Sequence, residues 1–441
     1  MNDMRKKMCA ALLCLLSVGA MGQTVSSTSS GTNSPYSQYA LGELVDPSGG
    51  VGKGMNGLGI AYRDHAQVNH LNPASYSAID SLSFIFDLGL SGQISNFEEG
   101  NKRVNARSAN FEYAVAGFRL ARHLGFSFGV IPFSNIGYNY SVTKKIGTEG
   151  TAGYSSSYKG KGGLHEVYIG MGWEPFRGVS FGVNGGYLWG GYDRSVVNTY
   201  SEASTSLSKI YSADVRSYKV DFGVQLTAKL GKKDKLTLGA TYGLGHKIGG
   251  DPTCKIISTN SSTGVADTTS YPGGVSKLNL ELPMTIGGGL MWNPNDTWRV
   301  GADYTLQKWA DVGLLEYSAN NGVAEYKSVK GLCNDLQKVT LGLEYCPNPE
   351  SRRSYLHRIR YRAGVSYATP YLKINGQDGP KEISASMGMG IPIYRPNSIS
   401  TVNISAQWVR QDSKQFITSN TFRLTIGVTF NERWFDKWKV E

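Results

Sequence analysis

The chain has 441 residues and a formal net charge of +11, yet only 18% of its residues are charged, against about 25% in an average soluble domain. Glycine occurs 55 times and tyrosine 26 times, while hydrophobic residues still reach 40%. That balance excludes a disordered chain and fits an all-β chain with many tight turns, transmembrane barrels included.

Residues 1–22 read as a cleaved secretory signal. Arg5, Lys6 and Lys7 precede an apolar stretch at 8–18, and small residues lead to a cut near Gln23. The stretch is too short to span a bilayer as a helix, and no other apolar run is long enough. Residues 23–33 are rich in Ser and Thr and read as a flexible start. Residues 34–80 hold a dense set of glycines, from Gly42 to Gly59, without a clean period.

From Ser81 a period of two takes over. Leu82, Phe84, Phe86, Leu88 and Leu90 form one face, and mostly small or polar residues lie between them. The same alternation recurs to Phe430. It predicts fourteen strands, near 81–95, 107–121, 123–140, 164–174, 178–194, 211–230, 235–247, 278–292, 297–309, 337–346, 357–371, 382–393, 400–410 and 420–430. Through the first ten strands short and long connections alternate. The joins near 122, 174–176, 231–234 and 293–296 are tight; 141–163, 195–210, 248–277 and 310–336 are long. An antiparallel meander through a membrane has this form, with tight turns on one side and long loops on the other. An even strand count puts both barrel ends on one side, and residues 431–441 follow as a short periplasmic tail. Trp173, Trp189, Trp292, Trp298, Trp309, Tyr345 and Tyr371 fall near strand ends, as an interfacial aromatic girdle requires.

Chemical motifs are sparse. Gly52 to Gly57 spells G-x-G-x-x-G, but no helical period follows it and no strand leads into it, so no nucleotide site is read. His65 and His70 lack further ligands at metal-binding spacing. Asp64 neighbours His65, but no nucleophile completes a relay. No catalytic residue, metal site or cofactor is predicted, and the secretion signal argues against nucleic acid as a partner. Cys254 and Cys333 fall in two long loops on one side. They either form a disulfide, which an oxidising compartment permits, or stay free thiols like Cys346 at the opposite rim. Lys229 to Lys235, and Arg352, Arg353 and Arg358, sit on the tight-turn side, where they suit phosphate headgroups or an acidic partner.

The stretch GKGMNGLGIAYRDHAQVNHLNPASYSAIDSL, residues 52–82, places Asn72-Pro73-Ala74 ahead of the first strand. In this it resembles the FadL-type family of outer-membrane fatty-acid and hydrocarbon transporters. The opening NSPYSQYALGEL and the ending RLTIGVTFNERWFDKWKVE are similar to barrels of the Bacteroidetes group. The resemblance implies a fourteen-stranded antiparallel transmembrane β-barrel, residues 81–430, in the bacterial outer membrane. Its lumen would be plugged by an N-terminal hatch within residues 23–80. Asn72 would tie the hatch to the wall, Pro73 would set its turn, and Val51, Met55, Leu58 and Ile60 would line part of a route. In the family, cargo leaves sideways at a kinked third strand. Here Pro132 removes a ladder donor in that strand and Gly137 weakens packing beyond it, which gives a kink a physical cause.

Two functions are expected in consequence. The leading one is a passive channel for hydrophobic small molecules, in contact with membrane lipid and lipopolysaccharide. The alternative is a non-transporting scaffold barrel in an outer-membrane assembly or secretion complex, whose partners would be proteins. The long Ser/Thr/Gly loops at 141–163 and 248–277 lean toward the second, since they do not read as a greasy groove. A polar-solute porin is disfavoured, because a plugged lumen is a poor water channel.

Overall fold

A computed structural model describes residues 32–433 except 147–151, 201–204, 232–233, 261, 273–277, 321–322, 350, 352–353, 396–397 and 414. The expected signal segment and residues 434–441 of the expected tail lie outside the described residues. Fourteen antiparallel strands close into a barrel. They are β1 (Ser83–Glu99), β2 (Lys102–Ala121), β3 (Leu124–Ile146), β4 (Ala152–Phe176), β5 (Val179–Tyr200), β6 (Thr205–Lys229) and β7 (Lys235–Gly243). The circuit continues with β8 (Thr285–Asn293), β9 (Trp298–Gln307), β10 (Leu336–Tyr345), β11 (Arg360–Ala368), β12 (Lys381–Arg395), β13 (Ser398–Asp412) and β14 (Thr418–Arg433). Closure comes from β1 against β14, in register from Ser83↔Arg433 to Glu98↔Thr418.

The alternation read from the sequence is an inside-out pattern. Along β1 the side chains of Phe86, Leu90 and Ile94 are exposed to the membrane side, while Asp87, Ser91, Gln93 and Ser95 are buried toward the lumen. An apolar belt of this kind costs nothing in lipid, and the polar positions find partners only inside.

Two expectations about the loops are corrected. Residues 141–163 and 195–210 are not loops; they are largely continuations of β3 to β6, which are 22–25 residues long. Crossing a bilayer takes only about 9–11 residues, so these four strands rise well above the membrane as a wall on one side of the barrel. The ladder runs unbroken into that wall, for example Tyr140↔Tyr158↔Val196. Strand Thr253–Asn260, from the segment predicted as the loop 248–277, extends it by pairing with the upper half of β6. The girdle is also corrected at two positions. Trp173, Trp292 and Trp298 face outward, but Trp309 is fully buried and stacks near Tyr371 inside the outer end of the barrel.

Candidate functional site

Residues 32–80 fill the lumen, and the wall is shaped to receive them. The 3₁₀ turn Pro73–Ala78 starts at Asn72, whose side chain accepts from the Ala74 N–H, and Pro73 sits where no donor is needed. The turn presses against three glycines of the wall. A Cβ on Gly125 would lie 1.9 Å from the Tyr76 carbonyl oxygen, one on Gly172 2.3 Å from that of Pro73, and one on Gly182 2.3 Å from the Pro73 carbonyl carbon. Only glycine permits that approach. Asn72 Nδ2 also donates to the Ile60 carbonyl at 2.8 Å and, in the wall, to Val224 at 3.2 Å on β6 and Ala240 at 3.4 Å on β7.

Charge pairs hold the rest of the hatch. Lys53 meets Glu112 of β2 at 2.6 Å, and Arg63 meets Glu174 of β4 at 2.6 Å. Asp64 lies 2.7 Å from Arg299 of β9 and 3.2 Å from Arg360 of β11. Glu344 of β10 joins the same cluster, 3.2 Å from both arginines and 2.7 Å from Arg362. Burial alone would raise the Asp64 carboxyl, but Arg299 and Arg360 hold it well below the usual carboxylate range. Asp303 of β9 accepts the N–H groups of Gly59 at 2.7 Å and Ile60 at 2.9 Å. Asn56 donates to Ser366 and Ser384, both at 2.7 Å, and accepts from Gln407 at 2.9 Å. The hatch is thus tied to strands all around the barrel.

The four apolar hatch residues fall in two places. Val51, Met55 and Leu58 are buried in one cluster with Tyr62 and Met291, against the wall. The cause is again the close approach that wall glycines allow; Met55 lies against Gly342 and Gly364. Ile60 alone of the four borders the remaining space. The G-x-G-x-x-G stretch forms the five-residue helix Gly50–Gly54 and its exit turn, wholly inside the barrel. His65 is exposed beside Asp64 and Asp80, and His70 is buried with Nε2 against the Pro47 carbonyl. Burial pushes the His70 pKa down to about 4, with the Pro47 contact opposing it. Among the described residues no group of His, Cys, Asp and Glu fits a metal ion.

Above the hatch lies a chamber of about 350 Å³. Glu43, Asp46, Glu166, Lys219, Asp221, Asp303, Lys338, Glu382 and Arg423 line it together with Leu44, Ile60, Leu71, Ile131, Phe133, Leu336 and Leu372, so charged and apolar groups share the space. Its roof is an apolar cluster that joins Tyr36 and Leu41 of the N-terminal segment to Ile136, Leu164, Leu188, Val215, Ile248, Leu280, Trp309 and Leu372.

The third strand departs from regularity where Pro132 lies. Its register to β4 slips between Pro132 and Ser134. Its pairing with β2 covers only Ala114↔Val130 to Ala121↔Leu124, although β2 stays paired to β1 and β3 to β4 far beyond. A seam therefore opens between β2 and β3 in the outer half of the barrel. The chain's own N-terminal segment lies in it. Strand Glu43–Leu44 pairs with Asn135 and Ser134, the Val45 N–H reaches the Phe133 carbonyl at 3.1 Å, and Asn33 Nδ2 reaches the Arg107 carbonyl of β2 at 3.0 Å. Gly137 exchanges hydrogen bonds with the Ser37 hydroxyl at 3.2 and 3.3 Å.

No disulfide joins Cys254 and Cys333; both are buried free thiols, as is Cys346. Cys254 is locked into the ladder between Tyr211 and Tyr271, while Cys333 makes a bridge to Leu372. What sequence reasoning missed is the cluster of Asp64, Arg299, Glu344, Arg360 and Arg362. Its signal was present, because charged residues at lumen-facing strand positions need partners inside.

Fold and site together define a fourteen-stranded barrel whose lumen holds its own N-terminal segment. Its solved structural neighbours include the CymD monoaromatic hydrocarbon channel (17% identity, 88% of this chain and 98% of that one, TM-score 0.56). They also include the Pseudomonas putida toluene transporter TodX (15%, 90% and 100%, 0.57) and a Pseudomonas aeruginosa FadL homologue (14%, 87% and 98%, 0.58). At such identities the likeness is one of fold. No curated protein matches the sequence. The BamG family profile matches residues 4–441, and the chain belongs to that family.

Proposed function

We propose that this chain is a non-transporting barrel subunit that holds protein partners in an outer-membrane assembly. The observation that carries this reading is closure from within. The hatch is tied to the wall by buried ion pairs on many strands, the outer end is roofed by a packed apolar cluster, and charged side chains project into the chamber between. A hydrophobic cargo would have to break the roof and displace a locked hatch. Breaking a single buried ion pair costs about 3–5 kcal/mol, and several would have to yield together. The wall formed by β3 to β6 supplies surface beyond what crossing the membrane requires. Membership of the BamG family is in keeping with a role as part of an assembly.

A second reading, passive passage of hydrophobic molecules, is favoured by the seam between β2 and β3 and by the hydrocarbon and toluene channels that share the fold. In that reading the Glu43–Leu44 strand would have to leave the seam to let cargo out sideways at Pro132.

Purification from the native membrane in mild detergent, followed by intact-complex mass spectrometry, separates the two. A stoichiometric protein partner with no apolar small molecule supports the scaffold reading. A lone barrel carrying a stoichiometric apolar molecule overturns it.

A further inference from the structure

The rim that carries both barrel ends, the inner rim, holds a cation with a built seat and, among the described residues, no counter-ion. Arg358 ends the short helical turn Leu356–Arg358 in the connection between β10 and β11. Its guanidinium lies over two rings, 4.8 Å from the centroid of Tyr355 and 4.6 Å from that of Tyr394. Both rings are fixed at their far ends. Tyr355 donates to the Pro392 carbonyl at 2.8 Å, and Tyr394 donates to the Pro349 carbonyl at 2.9 Å. The Arg358 Nε is buried with no hydrogen-bond partner. The inward arginines beside it in sequence, Arg360 and Arg362, are both paired with Glu344, whereas among the described residues Arg358 meets no carboxylate.

Contact with both rings orients the guanidinium fork and strips water from it, leaving its free N–H groups to receive a ligand. An oxyanion with two acceptors at fork spacing is the matching chemistry, and phosphate offers it. The place narrows the source. Tyr355, Leu356 and Tyr394 are exposed by 45%, 63% and 43% at the end of the apolar belt, so a ligand here lies beside acyl chains.

We propose that Arg358, clamped by Tyr355 and Tyr394, binds the phosphate of an anionic glycerophospholipid at the inner rim. This site does not depend on whether the barrel transports anything.

The test uses the full-length barrel in nanodiscs of mixed phosphatidylglycerol and phosphatidylcholine, released into mild detergent, with retained lipid counted by native mass spectrometry. The wild type keeps phosphatidylglycerol. Arg358→Gln lowers its occupancy about tenfold, the scale of one charge-assisted hydrogen bond. Arg358→Lys keeps the charge but loses the fork, and falls nearly as far. Heat-modifiable migration on gels confirms that each variant is folded. Millimolar inorganic phosphate leaves lipid retention unchanged. Equal retention by folded Arg358→Gln overturns the proposal, and displacement by inorganic phosphate overturns the lipid as its occupant.

Discussion

Replacing Asp64 by Asn should loosen the hatch. The Asp64 carboxylate is 1% exposed and holds Arg299 at 2.7 Å and Arg360 at 3.2 Å. With it gone, Glu344 is left to balance Arg299, Arg360 and Arg362. At an effective dielectric constant of about 20 each lost contact is worth roughly 5–6 kcal/mol before solvation. The asparagine keeps some hydrogen bonding and the arginines regain some water, so a net loss of about 3 kcal/mol is expected, the lower end for a broken buried pair. That is roughly a hundredfold shift toward the released hatch. Hydrogen exchange followed by mass spectrometry should show the amides of residues 50–72 exchanging about a hundredfold faster while strand amides stay protected. Removing a cation as well, in Asp64→Asn with Arg360→Gln, should restore part of the protection. Hatch amides that exchange at wild-type rates in folded Asp64→Asn would refute the claim that this cluster locks the lumen.

Other outcomes rest on the same geometry. Gly182→Val, whose Cβ would meet the Pro73 carbonyl carbon, should prevent the hatch from seating and abolish heat-modifiable folded barrel on gels. His70 has its pKa lowered to about 4 by burial, so the unfolded chain takes up its proton first. Its contribution is present above about pH 6.5 and is lost as pH falls toward 4. Wild-type stability should therefore decline through that window by about 3 kcal/mol, and His70→Gln should flatten the decline in thermal melts. The thiols of Cys254, Cys333 and Cys346 are free and buried, so reducing and non-reducing gels should agree, and maleimide should label them only after denaturation.

The barrel itself is legible in the residues. Alternation such as Leu82 to Leu90 can satisfy both lipid and lumen only in a closed sheet, and the tight joins near 122, 231–234 and 293–296 set the pairing order by chain length alone. Strand lengths were not legible, because the Ser/Thr/Tyr-rich stretches at 141–163 and 195–210 lack an apolar face. Their pairing depends on neighbouring strands that continue upward, as in Tyr140↔Tyr158. The hatch was legible as a glycine-dense segment without a period, and the resemblance pointed to Asn72 as its tie to the wall, but the partners were not legible. Asn72 finds Val224 and Ala240, and Asp64 finds Arg299 and Arg360, across more than 150 residues of chain. Only closure of the barrel brings them together. For the same reason Met55 and Leu58 look like the lining of a route when read in sequence. The folded barrel places glycines opposite them, and both side chains pack against the wall.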